Sequence, residues 1–331
     1  MDSRQTSVLG QNHDENCATD HSAMSGDGPN SLPAQASENA EQPYKFELQA
    51  LVTYLRDRQG GLRRSDAERN DFFLPAEQFK QFDELAEGGE FSGTRVRYDY
   101  SYATETLTLI LHGIKHEFIV AYLNSCLTSF IGGVKDKAEP SMANFAASLR
   151  PTLSAALYYP FKNPKGRDQR SPDVSFIDVK NAEYPVLVGE VAVSQTTKEL
   201  HKRAQEYIEQ TQGRIRTVIT VDVDHPVGKG ARLLVWRAKF GGDEKFEGVA
   251  CGDAVEIRNK DGVKNPDSQA GLFLSLEDFG FVRGTDGEDT DLQSVAAVNV
   301  ANMDDLCKVL EYAEEVNELR RVRKDLRTGR S

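Results

Sequence analysis

Cysteine is scarce in this chain. Cys17, Cys126, Cys251 and Cys307 lie far apart along 331 residues. No pair has zinc-ligand or redox-motif spacing, which excludes a thiolate metal centre and a disulfide scaffold and suggests a reducing compartment. No uninterrupted run of 18 apolar residues occurs, and the first residues lack a basic-then-apolar signal pattern. The expectation is therefore a soluble intracellular protein, nuclear or cytoplasmic, with no membrane partner. Glycine-rich phosphate loops, GxGxxG fingerprints and nucleophile elbows are also missing, which removes nucleotide-fold enzymes and serine hydrolases of the usual kind.

What is present is acidic and unevenly spread. The formal charge is −12, and residues 1–43 hold seven acids against Arg4 alone. That stretch is rich in Ser, Asn, Gln, Gly and Ala, so it cannot bury enough surface to offset its ordering entropy and is read as a disordered tail. The rest is only mildly acidic, which argues weakly against a nucleic-acid binder but leaves room for a local basic patch.

Four segments follow from the pattern. After the tail, residues 44–90 read as helical, with one helix from Tyr44 to Arg58, a charged connector over 62–73 and a second helix from Pro75 to Ala86. Residues 91–240 carry the main α/β body. They open on alternating runs at Arg95–Tyr100 and Thr106–Leu111, read as a hairpin, and a helix from His116 to Ile131 stopped by Gly132-Gly133. Helix 142–149, strand 153–159 and a basic loop over 160–171 come next. Residues 241–331 form an extension whose last helix, from Met303, turns Leu306, Val309, Leu310 and Ala313 inward and ends in the basic run LRRVRKDLRTGRS.

The segment Ser171–Asp224 is the most informative. Its pattern predicts strand 174–179, a turn at Asn181–Tyr184, strand 186–193, helix 197–212 and strand 214–223. The first two strands should pair antiparallel, because their connection is too short for a crossover. The third should return parallel to the second through the helix. Alternation puts Val186, Val188, Glu190 and Ala192 on one face of the second strand. Glu190 is thus an acid among apolar neighbours, which is costly unless it is paired or bound to a cation. Asp173, at the mouth of the adjoining strand, is its natural companion. Two carboxylates from neighbouring strands suit a hard cation such as Mg²⁺ or Mn²⁺. The plainer alternative is that Glu190 pairs with a base and Asp173 caps a turn.

Pro172-Asp173, Ser175-Phe176, Glu190-Val191, Ser194-Gln195, Leu200, Ala204, Tyr207, Gly213 and Val218-Ile219 together resemble the core of the PD-(D/E)XK nuclease superfamily. The similarity is to its Uma2-like branch and to a group of such proteins from filamentous fungi, and it covers roughly residues 95–225. The resemblance implies a restriction-endonuclease-like core, a mixed sheet flanked by helices, with extra N- and C-terminal elements. It also implies a metal-dependent nuclease, with DNA a better substrate than RNA. Asp173 and Glu190 would hold Mg²⁺ or Mn²⁺, and His116-Glu117 matches a His-Glu in that group, making Glu117 a third metal acid. One departure matters. The pattern carries Lys two residues after the strand Glu, and this sequence has Ala192 there. Lys202 or Lys198 on the following helix, or Gln195, would have to stand in, although Arg203 fits the Lys-to-Tyr spacing better. Without such a substitute the chain would be a non-catalytic descendant that binds nucleic acid or protein, or a regulatory scaffold.

Overall fold

The computed structural model describes residues 45–59, 69–89, 91, 96–111, 113–159, 166–193, 195–224, 228–242, 245–280 and 296–328. The acidic tail, Gly60-Gly61, Lys162, Lys165, Ser194 and the last three residues of the basic end lie outside them.

Among the described residues the protein is a mixed α/β structure with six α-helices. The N-terminal part comprises α1 (Lys45–Gln59), β1 (Arg69–Phe73), α2 (Ala76–Glu87), β2 (Arg97–Ser101) and β3 (Thr106–Ile110). Next come α3 (Ile114–Lys137), α4 (Pro140–Ala146), β4 (Leu149–Pro151), β5 (Leu157–Tyr158) and β6 (Gln169–Arg170). The central part is β7 (Val174–Asp178), β8 (Leu187–Ala192), α5 (Thr197–Gln210), β9 (Thr217–Val223) and β10 (Ala231–Phe240). The chain closes with β11 (Phe246–Cys251), β12 (Val255–Arg258), β13 (Gly271–Leu274), β14 (Val298–Asn302) and α6 (Met303–Thr328).

A five-stranded sheet runs β1-β3-β2-β6-β5, and a larger one runs β11-β10-β9-β8-β7-β4 with β12 also on β10. β7 and β8 pair antiparallel, and β9 lies parallel to β8 with α5 as the crossover. Every residue of β8 and β9 is buried, as expected of strands covered on both faces. One face, through Leu187, Val191, Ile219 and Val221, packs in the cluster that holds Ile119, Leu123 and Leu127 of α3 and Leu306 and Leu310 of α6. The other, through Val188, Val218 and Trp236, packs in the cluster that holds Ala204, Tyr207 and Ile208 of α5. By length and composition α3 could cross a membrane. Here its Ile119, Leu123, Leu127 and Ile131 stripe is core.

Several boundaries differ from the sequence expectation. The end of the charged connector is a strand, because β1 finds an open edge on β3 and turns Phe72 toward the N-terminal core. α3 runs through Gly132-Gly133 and stops at Ala138. A helical glycine costs only about 1 kcal/mol, whereas Pro140 holds Glu139 extended at ψ 151°. Residues 153–156, expected as strand, precede the two-residue β5, and Leu153 takes a positive φ of 51°. β11 was not visible in the pattern.

α5 begins on a capping box, with Thr196 Oγ1 accepting from the Glu199 N–H and Glu199 accepting from the Thr196 N–H. It ends where Gly213, at φ +74°, donates to the Ile208 carbonyl. A Cβ on Gly213 would stand 2.6 Å from the Phe240 ring. Gly213→Ala is therefore expected to lower stability by roughly 1–3 kcal/mol, read from the urea midpoint at unchanged m-value.

Candidate functional site

The register that pairs Val174 with Gly189 sets Asp173 opposite Glu190. Asp173 is 4% exposed, and its Oδ2 accepts the Val191 N–H at 2.7 Å, tying the mouth of β7 to β8. Its Oδ1 lies 2.9 Å from Arg97 Nη1. Arg97 is fixed in turn by donating from Nη2 to the carbonyls of Ser171 and Pro172 at 2.7 and 2.8 Å. From α3, His116 brings Nε2 to 3.0 Å from Asp173 Oδ2.

Glu190 projects from the α5-facing side of β8, as alternation requires. Arg203 and Tyr207, four residues apart and so on one face of α5, both meet it. The Tyr207 hydroxyl donates to Glu190 Oε1 at 2.5 Å, and Arg203 Nε stands 3.0 Å from the same oxygen. Arg203 Nη1 also pairs with Asp99 Oδ2. Asp99 Oδ1 accepts the Ser171 N–H at 2.8 Å, which links β2 back to the loop before β7.

Among the described residues, three acids and three bases thus share one buried network, joined from β2, the residue before β7, β8, α3 and α5. For His116, burial lowers the pKa, but the Asp173 carboxylate outweighs it and lifts the imidazole to about 9. Burial pushes the Glu190 carboxyl above its usual value, opposed by Arg203 and the Tyr207 hydroxyl. Burial would lower Arg203; the Asp99 and Glu190 carboxylates reverse that and keep the guanidinium charged. Among the described residues, these six groups sum to zero charge when all are ionised. A buried pair of this kind is weak as a source of net stability but very costly to break on one side.

Of the residues singled out from sequence, Asp173, Glu190 and His116 come together. Glu117 does not join them: its side chain is 61% exposed and lies 3.6 Å from His116 Nδ1, on the opposite ring nitrogen from Asp173. Lys202 has a 76% exposed side chain and pairs with Glu206 at 3.6 Å, and Lys198 is exposed. The cation beside Glu190 is Arg203, the residue whose spacing to Tyr207 fits the pattern. Ala192 is buried at 1% exposure. Gln195 lines a cleft of about 780 Å³ whose walls include Asp99, Ser101, Asp168, Arg170 and Arg203. Arg170 of the basic loop sits over the Tyr159 ring, 5.5 Å from its centroid. Arg97, Asp99 and Tyr207 were missed as site residues. Alternation of Arg97 and Asp99 with Tyr98 and Tyr100 was the available signal, since the tyrosines fill the N-terminal core and leave Arg97 facing Asp173 and Asp99 facing Arg203.

A divalent cation would need oxygens that here face two guanidinium groups, an imidazole and a backbone N–H. As arranged, the donor set does not fit Mg²⁺ or Mn²⁺, because a dication and Arg97 or Arg203 would compete for the same lone pairs.

No protein-family model matches the chain, and no curated protein matches it as a relative.

Proposed function

We propose that this chain carries a PD-(D/E)XK-type, restriction-endonuclease-like core that serves as a non-cleaving binding scaffold. The observation that carries the reading is the Asp173–Glu190 pair on adjacent strands, held by Arg97 and Arg203. Strand, hairpin, crossover helix and parallel strand run in the order that the resemblance implies. The acids keep their places, but arginines neutralise them, and Ala192 offers no group to orient or deprotonate a water. The motif has become a buried ion-pair lock joining the two sheets and both covering helices.

A second reading, an active metal-dependent nuclease acting on DNA, is favoured by the cleft that reaches Asp99, Arg203 and Gln195. One experiment separates them. Wild type and Ala192→Lys are assayed on single-stranded DNA, duplex DNA and RNA with Mn²⁺, alongside calorimetry of Mn²⁺ binding. The scaffold reading expects no cleavage and no metal binding by wild type. Wild-type cleavage, abolished in Asp173→Ala and Glu190→Ala variants that remain folded, would replace it with the nuclease.

A further inference from the structure

Among the described residues, the buried side chains of α6 lie in its first half. Leu306, Cys307, Leu310 and Ala313 are buried, and Glu314 is clamped by Arg258 at 2.6 Å and Lys115 at 2.9 Å. Beyond that clamp the helix continues to Thr328 with Leu319 58% and Val322 44% exposed. Tyr312, Val316, Leu319 and Arg323 follow a four-three-four spacing, which is a coiled-coil seam. The seam lies on the side of the helix away from the buried stripe, and Tyr312, 55% exposed, leans edge-on against Phe118 of α3.

The charge along this helix is divided into blocks. Glu311, Glu315 and Glu318 are exposed in the earlier turns, and Arg320, Arg321 and Arg323 in the later ones. Glu318 and Arg321 meet where the blocks join, at 2.7 Å. Two such helices side by side in the same direction would set acid against acid and base against base. Run in opposite directions, each acidic block faces the other's basic block.

We infer that the exposed face of α6 binds a second copy of this chain, as an antiparallel helix pair about a two-fold axis near residue 317. In that arrangement Val316 packs on Leu319 of the second copy, and Tyr312 faces its Arg323, an aromatic-to-guanidinium contact. The contact is self-complementary, so it closes at a dimer and does not propagate.

Sedimentation equilibrium of the full chain tests this. A reversible monomer–dimer equilibrium is expected, with the dimer weakening as salt rises because its charge pairing is attractive. Leu319→Lys should raise the dimer Kd by at least about tenfold, with circular dichroism unchanged because the residue is exposed. Glu311→Arg/Glu315→Arg/Glu318→Arg and Arg320→Glu/Arg321→Glu/Arg323→Glu should each be monomeric alone and should pair when mixed. A wild type that stays monomeric overturns the proposal, as does a dimer indifferent to Leu319→Lys. A dimer strengthened by salt would overturn the antiparallel arrangement.

Discussion

Arg203→Met is expected to cost roughly 3–5 kcal/mol of folding stability at neutral pH, a large share of what a single domain has. The methionine fills comparable volume, so little of the loss is cavity. It comes from Asp99 and Glu190, which lose the guanidinium between them while staying inside the protein. Lys202→Met, one residue away with a 76% exposed side chain, should change stability by less than about 0.5 kcal/mol. Urea unfolding of both variants at pH 7 measures the contrast. Adding Asp99→Asn and Glu190→Gln to Arg203→Met should recover much of the loss, since neutral amides leave no uncompensated charge. If Arg203→Met costs no more than Lys202→Met, water reaches these carboxylates from the cleft and the lock does not exist.

The central layer was legible because its rules are local. The gap between β7 and β8 is too short for anything but an antiparallel return, and α5 is long enough to carry the chain to a parallel β9. Glu190 stood out because an acid in a continuous apolar strand needs a partner. The partners were harder to see because Arg97 and Asp99 lie on β2, in a different sheet, and only the fold brings them to β7 and α5. The spacing that mattered was the four-residue step to Tyr207, which puts Arg203 and the phenol on one face of α5. β1 escaped notice because Arg69–Phe73 contains no β-branched residue and pairs only at a sheet edge.

The same network should make the protein sensitive to mild alkali. His116 is 1% exposed and 3.0 Å from Asp173, with its pKa raised from 6.5 to about 9. A group whose folded pKa lies above its unfolded one contributes fully below the unfolded value and loses that contribution as pH rises through the folded one. The His116 contribution should therefore be intact at pH 6, fall between about 6.5 and 9 and be gone above that. Its size is on the order of 3 kcal/mol. Asp173 gives the attraction, while Arg97, on the other oxygen of the same carboxylate, opposes it. The thiols of Cys126 and Cys307, pushed up by burial, add their own loss at the alkaline end. The His116 share is thus the difference between wild type and His116→Gln, which keeps the thiols and cannot titrate at this position. Urea unfolding of both proteins from pH 6 to 10 should show the wild-type advantage shrinking steadily as pH rises. A difference that stays constant over that range would mean that folding leaves the His116 pKa unshifted, so that Asp173 holds no buried imidazolium.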